Sequence, residues 1–147
     1  MLHTSVICLF CEDIREEKKN TDIIIGVMPD NIRVAQLPGL FPRLALYVRI
    51  QSPVDDPPPS ISLRVEVPGG EPIDLGGMSL EEITKAVEMA RQNEAPYIGV
   101  TLKAVLGNVS IESAGRFLAI ARLGDKEYLA GTLNVKVEEE PSTSSEA

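Results

Sequence analysis

Leu44, Leu46, Val48 and Ile50 alternate with Arg43, Ala45, Tyr47 and Arg49, and Ile61, Leu63, Val65 and Val67 alternate with Ser62, Arg64 and Glu66. A period of two sends successive side chains to opposite faces of a strand, so each run reads as a strand buried on one side. The stretch between them, Ser52 to Pro59, contains four prolines that donate no ladder hydrogen bonds, and it reads as an exposed loop. Upstream, the apolar runs Ser5 to Cys11 and Asp22 to Val27 flank the charged stretch Glu12 to Asn20, which suggests two strands joined by a long mobile loop. A short strand over Asn31 to Ala35 follows the Pro29-Asp30 turn. Downstream, Ile98, Val100, Leu102 and Ala104 share a face, and Gly115 to Leu123 and Glu127 to Val137 form a hairpin through Gly124-Asp125.

One segment breaks the period. Ser79 and Glu82 have capping-box spacing ahead of Leu80, Ile83, Val87 and Ala90, which predicts a one-sided helix over residues 79–92 that covers an end or edge of the sheets. Many short strands, one helix and no strand–helix alternation define a mainly β fold, an antiparallel β-sandwich of about eight strands. The length suits one domain, expected over residues 1–137, with residues 138–147 expected as a disordered acidic tail.

Charge narrows the partners. The chain carries 22 acids against 14 bases, and four of the acids lie in residues 138–147. The body is therefore near −4 and has no basic run, a balance that phosphate backbones repel, so no nucleic acid is expected as partner. No apolar run approaches the roughly 20 residues a membrane helix needs, and no membrane association is expected. Val6 to Phe10 lacks the preceding positive charge and following small residues of a signal peptide, so export by such a leader is not expected.

Chemical motifs are sparse. Cys8 and Cys11 have CxxC spacing, but on a strand residues three apart face opposite ways and lie about 10 Å apart, too far for a disulfide. With His3 as the sole histidine, four zinc ligands are lacking; the cysteines read as buried thiols and no metal is expected. His3 is also the only base for a hydrolytic triad, so no catalytic residues are assigned. Asp30, Asp55 and Asp56 lack the converging oxygens of a calcium site. Gly69-Gly70 and Gly76-Gly77 lack the Lys-Ser or Lys-Thr of a phosphate loop and read as turns, and no cofactor is expected.

Cys11-Glu12-Asp13-Ile14-Arg15-Glu16, Ile25-Gly26-Val27, Pro29-Asp30-Asn31-Ile32 and Leu37-Pro38 lie ahead of the strand over residues 43–50. This pattern resembles a family of small uncharacterised bacterial and phage proteins, a domain of unknown function, best over residues 5–67. The resemblance implies a bacterial or phage source and a cytoplasmic setting, and supplies no reaction, cofactor or partner.

Two classes of function follow. The first is a non-enzymatic sandwich that binds a protein partner, or a second copy, through a sheet face or edge bearing Arg43, Tyr47, Arg49 and Arg64, since Arg and Tyr combine contact area with directed polar groups. The second is a small-ligand binder or enzyme using Glu12, Asp13 and Arg15 beside residues 29–42, in a pocket where carboxylates converge. A phage structural component is a third reading, implied by the resemblance alone.

Overall fold

The computed structural model describes residues 2–138. The acidic tail expected over 138–147 lies, from residue 139 onward, outside the described residues. The elements run β1 (Ser5–Glu16), β2 (Asp22–Val27), β3 (Asn31–Val34), β4 (Gly39–Pro53), β5 (Ile61–Glu66), β6 (Ile73–Met78), α1 (Leu80–Gln92), β7 (Tyr97–Ile111), β8 (Gly115–Leu123) and β9 (Lys126–Val137). One sheet has the order β2-β1-β4-β7 and the other β3-β9-β8-β5-β6, so the fold is mainly β in two layers.

Side-chain alternation builds the core between the layers. Leu44, Leu46, Val48 and Ile50 of β4 face Leu63 and Val65 of β5, Phe117 and Ala119 of β8, and Leu133 and Val135 of β9, all essentially buried. Phe117 sits at the centre, its ring 6.3 Å from Phe10 and 5.9 Å from Phe41 in tilted contacts that suit the ring quadrupoles. Burying each large aliphatic side chain contributes about 1.5–3 kcal/mol, so this face fixes the register of every strand that joins it.

Three elements differ from the sequence reading. Glu12 to Glu16 continue β1 as strand rather than forming a mobile loop, because residues 11–16 pair with 22–27 and only a 3₁₀ turn at Lys18–Asn20 joins them. Gly76-Gly77 lie inside β6, not in a turn: Gly77 passes against the Ile61 carbonyl, where no side chain fits, at a register shift between β5 and β6. All strand pairs are antiparallel except β3 with β9, which run parallel from Asn31/Asn134 to Val34/Val137.

The helix forms where its caps predict. Ser79 Oγ accepts from the Glu82 N–H at 3.3 Å and Glu82 Oε1 accepts from the Ser79 N–H at 3.3 Å. At the other end Glu94 takes φ +54°, the Glu94 N–H donates to Arg91 and the Ala95 N–H to Ala90, closing the last turn as a Schellman motif. Ile83 and Ala90 are buried, and α1 packs beside β7.

The two flanks of the sandwich are unlike. On one, β1 meets β9 so closely that a Cβ at Gly131 would lie 2.8 Å from the Cys8 carbonyl oxygen. On the other, the edge strands are β7 and β6, and the chain crosses from sheet to sheet through α1.

Candidate functional site

Three of the residues singled out from sequence, Glu12, Asp13 and Arg43, meet where β1 parts from β4. β1 pairs with β4 from Ser5 to Cys11 and with β2 from Cys11 to Glu16. Cys11 lies level with Ala45 and, across β4, with Val105; Leu9 lies level with Tyr47 and Lys103. A straight arm would carry Glu16 about 16 Å beyond the Cys11 level, away from Lys103. Instead Glu16 Oε1 and Asp22 Oδ1, paired across the arm's tip, each stand 2.8 Å from Lys103 Nζ. The β1–β2 arm therefore folds back over the outer face of its own sheet.

Gly26 makes the bend. Its φ of +66° is a left-handed conformation that favours glycine, and the end of the Glu12 side chain lies 2.6 Å from where a Cβ would stand. The fold-back explains two burials out of phase with the core: Cys11 and Ala45, register partners on the outward side, are both fully buried. Asp22 first, and then Glu16, hold the Lys103 ammonium above its ordinary pKa. The Cys11 thiol donates to the Ala45 carbonyl at 3.6 Å. Burial, and then the neighbouring Asp13 charge, push the Cys11 thiol up, opposed by a hydrogen bond from the Asp13 backbone. Burial, reinforced by Cys11, pushes Cys8 up to about 12. Both cysteines are free. Such thiols are poor nucleophiles, since the thiolate is the reactive form.

Glu12 and Asp13 diverge, as neighbours on extended backbone do. Asp13 Oδ1 accepts from Arg43 Nε at 3.0 Å, from Arg43 Nη2 at 2.7 Å and from the Ile14 N–H at 2.9 Å. The Arg43 guanidinium holds its carboxyl below the usual carboxylate range. An acid–base pair needs one carboxyl raised, and Asp13 moves the other way. Glu12, Asp13 and Arg43 do line a common cleft of about 470 Å³ with Ile25, Met28, Phe41 and Pro42.

The remaining candidates are dispersed. Arg15 lies 4.0 Å from Glu17, on the exposed arm. Tyr47 and Arg49 stand beside Leu9 and Ile7 on the outer face of the first sheet. Arg64 belongs to the second sheet, 2.6 Å from Glu127 and 3.4 Å from Glu66. Among the described residues no group of three His, Cys, Asp or Glu side chains converges as a metal site, and Asp55 pairs with Arg91 at 3.3 Å.

Sequence reasoning missed the apolar part of this region. Ile7 is 58% exposed, Val27 54% and Ile23 46%, with Leu9 and Ile25 also exposed; by register Ile7 and Leu9 share one side of the β1–β4 ladder, and Ile23, Ile25 and Val27 share one side of the β1–β2 ladder. Its signal was present: Ile23-Ile24-Ile25 is apolar on both faces, which a strand with one wet face does not require.

Residues 6–136 match a family described as Family of unknown function (DUF6941). No curated protein matches the chain, and no solved structure does. No helix among the described residues is long and apolar enough to cross a membrane.

Proposed function

We propose, for a chain that belongs to this family of unknown function, that its activity is binding rather than catalysis: the β1–β2 arm and the strand behind it dock a protein partner. The observation that carries this reading is the set of exposed aliphatics Ile23, Ile25 and Val27 along β2, with Ile7 and Leu9 exposed on the preceding half of β1 beside β4. Single exposed aliphatics are ordinary, whereas a clustered set marks an interaction surface. Tyr47, Arg49 and Arg15 border it and supply the directed polar contacts that interfaces favour. A bacterial or phage cytoplasm as its setting rests on the resemblance of residues 5–67 alone.

The test is affinity capture from the native host combined with light scattering. A partner, or a second copy, should be retained by the wild type and lost with Ile7→Lys/Val27→Lys, both exposed sites. Retention unchanged by these substitutions refutes the reading.

A second reading has its own observation, the cleft bearing the Asp13–Arg43 pair over Ile25, Met28 and Phe41, of a volume within the range of small-ligand sites. An amphiphile with an anionic head, such as octanoate, would place its head by Arg43. Binding abolished by Arg43→Gln, with Ile7→Lys/Val27→Lys inert, would favour it over protein docking.

A further inference from the structure

The open flank of the sandwich offers a different site. β7 is an edge strand with β4 on one side only, so its free side has no strand partner among the described residues, and the alternation along it is interrupted at Asn108, where φ is +52° and Leu106 and Val109 both turn inward. Beyond α1, β7 borders a cleft of about 390 Å³ whose other wall is the connection between β5 and β6, at Val67, Gly70 and Glu71, and the first residue of β6. Val67, Ile73, Leu106 and Val109 line it, and Val67 and Val109 are core residues, so the cleft opens directly onto the interior. The opposite flank is sealed at Gly131. Among the described residues no strand or helix closes this cleft along Val105 to Ser110.

Charge identifies the occupant. Glu71 and Glu112 are the charged residues of the lining, with no base beside them. The chain as a whole is at −8, and its residues 138–147 carry four acids and no base, which disfavours both a second copy and that segment. We infer that this cleft receives an extended cationic segment of a partner protein, added as a strand beside β7, with alternate apolar side chains entering between the sheets and Lys or Arg meeting Glu71 and Glu112. Strand addition supplies affinity through backbone hydrogen bonds and specificity through alternate pockets, as this geometry requires. The site is separate from the exposed aliphatics of β1 and β2.

The probe is an acetylated, amidated (Lys-Val)₄ peptide, with (Glu-Val)₄ as its counterpart, titrated into the full chain at physiological salt and followed by amide and methyl NMR. The expected result is shifts confined to Val105–Ser110, Val67 and Ile73, with (Glu-Val)₄ without effect. Glu71→Lys/Glu112→Lys, both exposed sites, should weaken (Lys-Val)₄ at least tenfold, and Ile7→Lys/Val27→Lys should leave it unchanged. Equal binding of both peptides, shifts located elsewhere, absence of shifts, or affinity unaffected by the charge reversal would each overturn the proposal. So would dimerisation through these same residues without peptide.

Discussion

Gly131 and Gly99 both lie within strands, yet replacing each by alanine should move stability in opposite directions. At Gly99 nothing lies within 4 Å of the added Cβ, and alanine, which loses less chain entropy on folding, should stabilise by about 0.5 kcal/mol. At Gly131 the same methyl would sit 2.8 Å from the Cys8 carbonyl oxygen and 3.1 Å from its Cβ. Carbon and carbonyl oxygen settle at roughly 3.3 Å or more, so about half an ångström must come from separating β9 and β1. Neither atom belongs to a flexible side-chain end, and overpacking of this kind costs about 1–3 kcal/mol. The entropy gain is common to both variants and cancels in their difference, leaving a gap of about 1–3 kcal/mol, or roughly 3–10 °C in Tm for a chain of this size. Urea denaturation of the two variants side by side, read at matched m-values, measures it. Equal midpoints would show that the sheets do not close on this flank, and the contrast with the open flank would fall with them.

Three further outcomes follow from the arm. Lys103→Met removes the cation that Glu16 and Asp22 share, and amides of Asp22 to Val27 should exchange faster while those of β4 stay protected; unchanged exchange would mean the arm is held by other contacts. Because Arg43 depresses the Asp13 carboxyl in the folded state, the stability it contributes is present above the unfolded value near 3.8 and is lost as pH falls through the folded one. Arg43→Gln should make stability less steep below about pH 5, and an Asp13 midpoint that stays low in the variant would refute the attribution. Iodoacetamide at pH 8 should leave Cys8 and Cys11 unmodified in the native protein and modify both in urea, and native labelling of Cys11 would show that the arm does not cover it.

Much of this fold is written in alternation. Leu44 to Ile50 and Ile61 to Val67 declare their buried faces, and the hairpin through Gly124-Asp125 and the cap at Ser79 carry local signals that tertiary contacts do not overrule. What escaped were features set by contacts far along the chain. β6 hides behind Gly76-Gly77, whose missing side chains answer to the backbone of Ile61 and not to a turn. The charges of Glu12 to Glu17 suggested a loop because their partners, Arg43 and Lys103, lie 30 and more residues away. At the candidate site the individual polar residues were visible, while their grouping was not: Asp13 joins Arg43, and Arg64 sits on the other sheet. The exposed aliphatics went unnoticed because periodicity marks which residues share a face and cannot tell which of two faces is left in water.

The parallel ladder between β3 and β9 ties residues 31–34 to residues 134–137, and the same β9 lies against β1 at Cys8. During synthesis the first third of this protein therefore waits: until the segment after Lys126 has left the ribosome, β3 has no neighbour and β1 has a bare side. Assembly of so many distant pairings is slow, and a nascent chain halted at the β8–β9 turn would present sticky strand borders to whatever chaperone or neighbour meets it first.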